Sequence, residues 1–497
     1  MTYLSDISSL QLLVILPVFA CLAMACTRKL KNACELMSIG TGLVLVLVTC
    51  QLWHNFSLAN QVKVEWIELI PGLTLSLSLT PLGLLFALAA STLWLTTALY
   101  AIGYLRALQE HSQTRFYQFF ALAMTAVMGI AFADNLLTLY VFYELLTLTT
   151  FPLVVHSGKE TAVRGGRVYF AFLLFTSVLF FLLAIVGTWF IGGSLDFTPG
   201  GLLNRPIMNT GALSAASLLL PLFVLGIGKA AVFPFYQWLP AAMVAPTPVS
   251  ALLHAVAVVK GGVFTLLKVC LYIFGTDVLV ELPSQQFMLY LAGFSILFAS
   301  FMALQQDNLK KRLAYSTISQ LGYISMGALL ANGSAILGAS MHLVVHAFGK
   351  ITLFFCAGAI LVATNKTLIS DMTGLGRQMP FTMVAFFIGS LTIIGLPPAA
   401  GLWSKWYLLQ GAMTAEQWLL ILVLAFSSIL NIFYLLPIPI RAFFSPAAAI
   451  TVKPPVNRVP TSMVLSIAFS STVCLVLFFL PESLFQLAQA ILIRSGQ

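Results

Sequence analysis

Long apolar stretches alternate with short polar segments along the whole chain. Most stretches reach about twenty residues, the length that an α-helix needs to cross the hydrocarbon core of a bilayer. The pattern therefore predicts an all-α polytopic membrane protein with about fourteen transmembrane helices. Their approximate residues are 8–26, 34–52, 81–105, 114–132, 135–156, 167–192, 212–240, 247–275, 286–304, 313–331, 334–364, 381–410, 416–443 and 461–481.

Two segments outside the predicted spans follow other patterns. Residues 62–80 alternate polar with apolar side chains around Pro71-Gly72, which predicts a small β-hairpin outside the membrane. Residues 482–494 have the periodicity of an amphipathic helix. This tail is therefore predicted to lie along the membrane interface.

The composition excludes several classes of protein. Of 497 residues, 60% are hydrophobic and 8% are charged, whereas soluble domains carry about 25% charged residues. A soluble globule, a nucleic-acid-binding protein and a secreted disulfide fold are thereby excluded. The seven cysteines show no CxxC or metal-binding spacing, and the chain has no nucleotide-binding loop. We therefore predict no cofactor, no metal site and no enzymatic centre of its own.

Basic residues are distributed unequally between the two sides of the predicted membrane. Sixteen lie in loops that follow odd-numbered spans, and three, Lys63, Arg205 and Arg494, lie on the opposite side. Because basic loops are retained in the cytoplasm, the odd-numbered loops are predicted to be cytoplasmic. The β-hairpin and both termini are then extracytoplasmic, with the protein in a bacterial inner membrane. The first stretch lacks the features of a cleaved signal peptide and is predicted to be a retained span.

Six ionisable residues remain inside the predicted spans. An ionised group at the bilayer centre costs about 2.5–3.5 kcal/mol, so these groups either pair inside the bundle or form a path for protons or ions. Lys268 lies near the end of the eighth span, where its stem could instead reach the interface, and both interpretations stay open for it. The six are Glu144, ten residues into the fifth helix, and Lys229, Lys260, Lys268, Lys350 and Lys405.

Histidines accompany two of these lysines. His342, His346 and Lys350 are spaced four residues apart, so they share one face of the eleventh helix. Imidazole titrates near neutral pH, which makes this stripe a candidate proton relay. A metal site is the competing interpretation, but no carboxylate or cysteine accompanies the pair. His254 precedes Lys260 by six residues and shares its face only if the helix bends.

The seventh and twelfth helices are predicted to be broken. Pro234 interrupts GIGKAAVFPFYQWLP, and Pro397 and Pro398 interrupt GLPPAAGLWSKW. Proline removes a helix hydrogen bond, and irregular backbone inside a bilayer is tolerated only where protein or water surrounds it. Paired breaks in corresponding places indicate an inverted-repeat transporter. Since the breaks are an odd number of spans apart, the two five-helix repeats, spans 4–8 and 9–13, are predicted to be inverted.

These repeats predict four regions along the chain. They are residues 1–110 with three helices and the hairpin, 111–280 with the first repeat, 281–445 with the second repeat, and 446–497 with the fourteenth helix and the amphipathic tail.

The segments that carry the buried charges resemble a known family. Residues 229–264, YVFYELLTLTTFPLVV around Glu144, and residues 310–324, 346–360 and 395–406 are similar, in order, to the antiporter-like proton-translocating membrane subunits. That family covers large subunits of respiratory complex I, membrane-bound hydrogenases and the multi-subunit, Mrp-type cation/proton antiporters. In its length and in the sequence of these segments, the chain most resembles the Mrp-type D subunit or the complex I M subunit. It is less similar to the longer L-type subunit.

The resemblance implies a role for each matching residue. Glu144 matches the fifth-helix glutamate, and Lys229 its seventh-helix lysine partner. Lys260, with His254, takes the place of the central relay group. His342, His346 and Lys350 fall on the relay position of the eleventh helix, and Lys405 matches the terminal lysine of the twelfth.

The predicted function is a proton-translocating subunit of a larger membrane complex, most specifically an Mrp-type Na⁺/H⁺ antiporter subunit. Its expected partners are other antiporter-like subunits, small cation-channel-like chains, H⁺, Na⁺ and the lipid bilayer. One alternative is a proton-pumping subunit of a complex I-type or hydrogenase-type redox complex. Another is a proton-coupled partner of inorganic-carbon uptake. A non-conducting scaffold with static charge pairs is the alternative of a different class.

Overall fold

A computed structural model describes residues 2–28, 30, 32–57, 62–70, 72–203, 210–445 and 458–495, without the side chains of residues 2–7, 69, 70, 210, 212 and 254. Within these ranges the chain is a bundle of helices with one small β-hairpin. Helices satisfy their backbone hydrogen bonds internally, which is the condition that a segment must meet to cross lipid. The predicted fold class is confirmed.

The helices and strands follow one another in the order of the apolar stretches. They are α1 (Thr2–Cys26), α2 (Ala33–Asn55), β1 (Lys63–Ile70), β2 (Leu73–Ser78), α3 (Pro81–Ala107), α4 (Gln113–Phe132), α5 (Leu136–Val154), α6 (Glu160–Thr176), α7 (Leu182–Gly192), α8 (Thr210–Gly226), α9 (Trp238–Ala241), α10 (Thr247–Ala251), α11 (Val258–Val269), α12 (Thr276–Glu281), α13 (Pro283–Gln305), α14 (Leu309–Leu330), α15 (Gly333–Thr364), α16 (Pro380–Ile394), α17 (Gly401–Thr414), α18 (Trp418–Leu435), α19 (Pro437–Phe444), α20 (Thr461–Phe479) and α21 (Glu482–Ser495).

Ten helices in the described part of the chain are long and apolar enough to cross a membrane. One of them, Glu160–Gly192, combines α6 and α7 through a π-helical turn. Two shorter apolar helices, α8 and α16, are the first halves of the predicted broken helices. The eighth predicted span is built from α10 and α11 with π-helical turns on either side of α11, a feature that the apolar pattern does not indicate.

The predicted β-hairpin is present, with β1 and β2 antiparallel. An ion pair of 3.0 Å between Lys63 Nζ and Asp134 Oδ2 fixes it to the junction of α4 and α5. Burial lowers the pKa of the Lys63 amine, but its hydrogen bond and attraction to Asp134 outweigh burial and hold that pKa above its ordinary value. The tail forms α21 as predicted, and its Arg494 lines a cavity together with Lys63.

Contacts between loops show which loops share a side of the bundle. Arg115, after the third span, donates to the carbonyl of His156, after the fifth, at 3.1 Å. The Ser370 hydroxyl, after the eleventh span, donates to Asp307, after the ninth, at 2.8 Å. The hairpin meets Asp134, after the fourth span, on the other side. This alternation of sides is the one that the predicted spans require.

The bundle is closely packed where α11 crosses the break in the seventh span. A Cβ atom on Gly262 would lie 2.3 Å from the carbonyl carbon of Lys229 and 2.4 Å from the amide nitrogen of Ala230. A Cβ atom on Gly261 would lie 3.4 Å from Ile130 and Leu146 side chains, which is an ordinary contact. Gly262 is therefore the residue that lets the two backbones touch.

This pair of glycines gives a matched test of the packing. Alanine is favoured over glycine within a helix by about 1 kcal/mol, and both substitutions gain that term. Gly262→Ala is expected to lose more than it gains, because overpacking costs about 1–3 kcal/mol, and to lower the thermal unfolding temperature of the purified protein. Gly261→Ala is expected to leave that temperature unchanged or raised. Equal unfolding temperatures for the two variants would contradict the close crossing.

Candidate functional site: a line of buried amines and imidazoles

Most of the predicted relay residues lie inside the helical bundle. Lys229, Lys260, His342, His346 and Lys350 are each at most 1% exposed. Glu144 and Lys405 are half-buried. The eighth candidate, His254, has its side chain outside the described residues.

Lys229 lies where the seventh span loses its helical structure. Helix α8 ends at Gly226, and a short 3₁₀ turn, Gly228–Ala230, carries the lysine. The Lys229 amine donates to the Tyr143 carbonyl at 2.8 Å and to the Thr147 hydroxyl at 2.7 Å. It also lies 3.2 Å from the centre of the Tyr143 ring, where the π-electrons attract a cation. Helix α5 therefore supplies polar partners for this buried amine.

Glu144, the predicted partner of Lys229, is adjacent in sequence to Tyr143 but makes no ion pair with the amine within 4 Å. Both of its carboxylate oxygens are buried and lack a hydrogen-bond partner among the described residues. The side chain follows the outer stripe of α5, between Val141 and Leu148, which are 39% and 52% exposed. An unpaired buried carboxylate costs free energy, which favours its approach to the Lys229 amine.

Lys260 and the histidines of α15 form a connected group. The Lys260 amine lies 2.6 Å from Nδ1 of His346. The imidazole rings of His346 and His342 are 5.7 Å apart and nearly parallel, with 23° between their planes. This group joins α11, in the first predicted repeat, to α15, in the second.

The group continues from His342 to the second broken helix. Nδ1 of His342 lies 2.9 Å from the Ser404 hydroxyl, and Nε2 lies 3.2 Å from Oε1 of Gln320. Ser404 is followed directly by Lys405 in α17. The ring of Tyr323 stacks on His342 and lies 4.7 Å from the Lys405 amine. A hydroxyl and an aromatic ring thus fill the space between imidazole and amine.

The second helix break supplies a partner for Lys405. Helix α16 ends at Ile394, followed by Gly395 in the left-handed conformation with φ of 87°, and α17 begins at Gly401. The Lys405 amine donates to the Ile394 carbonyl at 2.9 Å. Carbonyls in the last turn of a helix have no partner within it and carry partial negative charge, so they attract a cation. Pro397 and Pro398 lie within this break, and Pro234 lies in the non-helical segment after Lys229.

Lys350 faces a different direction from the histidines on its helix. Its amine donates to the Ser316 hydroxyl at 2.6 Å and to the Leu313 carbonyl at 3.2 Å, both on α14. The Ser316 hydroxyl also lies 3.0 Å from the hydroxyl of Tyr434. Shared spacing on α15 therefore does not place all three residues in one line: His346 contacts Lys260, whereas Lys350 forms a branch towards α18.

Several residues of the site carried no signal in the sequence. Tyr143, Thr147, Ser404 and Ser316 are common membrane-helix residues. For the first three, a position next to, or one turn from, a buried charge is the one signal that could have indicated a role, and Ser316 has no such signal. The structure also changes the interpretation of Lys268. Its side chain is fully buried, and its amine donates to the carbonyl of Ala133, just beyond the end of α4.

Comparison with known proteins identifies the family of the chain. A model of the NADH:quinone oxidoreductase/Mrp antiporter membrane family matches residues 133–431, which include all eight candidate relay residues. The chain belongs to this family. The resemblance seen in the buried segments is thereby confirmed, and the protein is a membrane antiporter-like chain rather than a stand-alone enzyme.

Relatives of the antiporter-like chain include respiratory subunits. It is 33% identical over 437 residues to NADH-quinone oxidoreductase subunit N of Desulforudis audaxviator, covering 85% of this chain and 84% of the relative. It is 32% identical over 399 residues to NAD(P)H-quinone oxidoreductase chain 5 of Synechocystis, covering 76% of this chain and 56% of that longer relative.

Two solved structures share the fold. A chain of the Mrp complex from Dietzia superposes with a TM-score of 0.87 at 20% identity. The superposition covers 99% of this chain and 97% of the Dietzia chain. A chain of the membrane-bound sulfane sulfur reductase, an archaeal respiratory membrane complex, superposes with a TM-score of 0.85 at 19% identity, covering 98% of each. At these identities the likeness concerns the fold.

The contact between Lys260 and His346 can be tested with a double-mutant cycle. If the two pass a proton directly, Lys260→Met and His346→Ala are each expected to slow proton transport in membrane vesicles at least about tenfold. The double variant is expected to be no slower than the slower single variant, because residues that act together show non-additive effects. His156→Gln, at a buried histidine after α5, serves as the control and should keep transport. Multiplying effects in the double variant would contradict direct transfer.

Proposed function

We propose that the protein is the proton-translocating subunit of a multi-subunit membrane complex, most specifically an Mrp-type Na⁺/H⁺ antiporter. Protons move along the membrane plane from Lys229 through Lys260, His346 and His342 to Lys405. The carrying observation is the connected group of Lys260, His346, His342 and Ser404, which links the surroundings of the two broken helices.

The first step depends on Glu144 and Lys229. When the carboxylate of Glu144 approaches, Coulomb attraction stabilises the ammonium form of Lys229, and this attraction is strong because the surroundings are dry. When the carboxylate withdraws, the ammonium keeps only the Tyr143 carbonyl, the Thr147 hydroxyl and the Tyr143 ring as partners. The proton then moves towards Lys260. The arrangement in the structure is the separated one.

The later steps need groups that both accept and donate. Neutral imidazole has one acceptor and one donor nitrogen, so it can take a proton on one side and release it on the other. His346 faces the Lys260 amine with Nδ1, and His342 faces Ser404 with Nδ1. The two histidines of α15 therefore use the same ring nitrogen, Nδ1, for these contacts. Lys405 receives the proton last, and its ammonium form donates to the Ile394 carbonyl.

A second candidate is a proton-pumping subunit of a complex I-type redox complex. Its support is the 33% identity to NADH-quinone oxidoreductase subunit N over most of both chains. Mrp-type antiport is supported by the fold that the chain shares with a chain of the Mrp complex over nearly all of both chains. The amino-acid sequence of the segments that carry the buried charges supports it as well. Both candidates use the same relay and differ in what drives it.

Substitution of the first pair tests the relay itself. Glu144→Gln and Lys229→Met are each expected to abolish coupled proton transport in vesicles that contain the whole complex, because neither variant retains the attraction that loads the amine. Assembly is expected to be intact, as measured by co-purification of the partner subunits. Leu148→Gln, on the same outer stripe of α5, is the control for a polar side chain at that surface. Full transport in both relay variants would leave only the scaffold interpretation.

The wild-type complex identifies the driving partner in the same assay. An imposed Na⁺ gradient that moves protons would support antiport, whereas proton movement only on quinone reduction would support the redox candidate.

The proposed location is a bacterial inner membrane with the hairpin and both termini extracytoplasmic. Two exposed glutamates provide a matched pair of probes, with side chains 60% exposed at Glu65 in the hairpin and 88% exposed at Glu160 at the start of α6. In a background in which all seven cysteines are replaced by serine, Glu65→Cys is expected to react with a membrane-impermeant maleimide in intact cells. Glu160→Cys is expected to react only after permeabilisation. The reverse result would invert the proposed orientation.

A further inference from the structure

Lys268 is a buried amine that the relay does not use. It lies in α11, two residues before the π-helical turn Cys270–Phe274, and is fully buried. The amine donates to the carbonyl of Ala133, just beyond the end of α4, and lies 4.5 Å from the ring of Phe197. A lysine buried this completely needs a reason beyond packing, because an apolar residue would fill the same space without the cost of burying an amine.

The Lys268 amine lines a cavity on the hairpin side of the bundle. The cavity has a volume of about 120 Å³, enough for water molecules. Asp134 from the α4–α5 junction and Lys63 from β1 line it as well, and Lys63, with 43% of its side chain exposed, connects it to the surface. Lys268 therefore has access to water on this side, although its own side chain is fully buried.

Both acids and bases surround this cavity. Asp134 accepts from Lys63 at 3.0 Å and from the Ser76 hydroxyl at 3.3 Å. The lining also includes Tyr272, beyond α11, and Arg494, from α21, and Asp196 lies near enough to Lys63 to attract it. The Lys268 amine and the Asp134 carboxylate line one water-sized cavity, so water in it can carry a proton from the amine to the carboxylate and on to solvent.

Inside the bundle, Lys268 is separated from the relay by one aromatic layer. Lys260 is eight residues earlier on α11, about 12 Å along the helix axis. Phe264 lies between them, fully buried and stacked on Phe86 with ring centres 4.8 Å apart. The Lys268 amine is 5.7 Å from the Phe264 ring. The stacked rings of Phe264 and Phe86 therefore separate Lys260 of the relay from Lys268 at the cavity.

We propose that Lys268 and Asp134 form a proton access site that connects the relay to the hairpin side of the membrane. When the Phe264 ring moves aside, water from the cavity reaches Lys260, and a proton from its ammonium passes through that water to the neutral amine of Lys268, which becomes an ammonium. The ammonium gives a proton, through water in the cavity, to the carboxylate of Asp134, and the resulting acid releases it to water on the hairpin side. No electrons are transferred, and both groups return to their starting forms. This site rests on the proposed function, since it has a role only if Lys260 carries protons.

The competing role for Lys268 is structural, as a fixed cation beside the carbonyls that end α4. Arginine distinguishes the two roles, because its guanidinium stays charged in proteins and cannot release a proton. In vesicles with the whole complex, Lys268→Met and Lys268→Arg are both expected to slow coupled proton transport at least tenfold with the complex assembled. Lys310→Met is the matched control: its amine also donates to a carbonyl, that of Ala245, at 2.5 Å, but on the opposite side of the bundle.

Asp134→Asn supplies an independent measurement. It is expected to slow transport and to remove the dependence of the rate on pH in the hairpin-side compartment, while the dependence on pH in the other compartment stays. If Lys268→Met prevents assembly, Lys268→Arg and Asp134→Asn carry the test.

Two results would overturn the access site. One is rescue by Lys268→Arg of the transport lost in Lys268→Met, which would show a structural cation. The other is full transport in Lys268→Arg and Asp134→Asn while Glu144→Gln and Lys229→Met are inactive, which would reject the access site and leave the relay standing. Full transport in Glu144→Gln and Lys229→Met would instead reject the proposed function itself.

Discussion

The structure depends on finding polar partners for amines that have no access to bulk water. The contact between Lys260 and His346, at 2.6 Å, is the central instance, because it places an amine of α11 against an imidazole of α15 with both side chains buried. Burying one such group without a partner costs several kcal/mol. The contact therefore fixes how the two predicted repeats meet, and it forms the middle of the relay at the same time.

The broken helices solve the same problem at the two ends of the relay. An unbroken helix uses every interior carbonyl in its own hydrogen bonds, so it offers few acceptors to a lysine. The end of α16 leaves the Ile394 carbonyl for Lys405. The turn at Gly228–Ala230 instead directs Lys229 to the Thr147 hydroxyl and to the Tyr143 carbonyl, which lies within α5 and accepts the amine as an additional donor. Such acceptors hold an amine less strongly than a carboxylate does. A proton held this way can be released.

Much of the architecture follows from sequence because lipid permits few solutions. Apolar stretches of about twenty residues must be helices, and the structure places a helix or a broken helix at each predicted span. The hairpin and the tail helix follow from equally simple periodicities. The π-helical turns beside α11 do not, because the same apolar residues suit an α-helix. The close backbone contact at Gly262 is likewise visible only in the packed bundle.

For the site, the sequence by itself determined which residues are buried charges, since lysine, glutamate and histidine within apolar spans cannot be accidental at their energetic cost. Only the tertiary structure decided which partner each of these side chains contacts. Spacing placed His342, His346 and Lys350 on one helix face, yet neighbouring helices divide that face between Lys260, Ser404 and Ser316. Lys268 shows the same limit: its position near the end of a span does not reveal its partner, which is the carbonyl of Ala133, more than a hundred residues away in the sequence. Local sequence fixes the cost of burial, and long-range packing fixes the partner that offsets it.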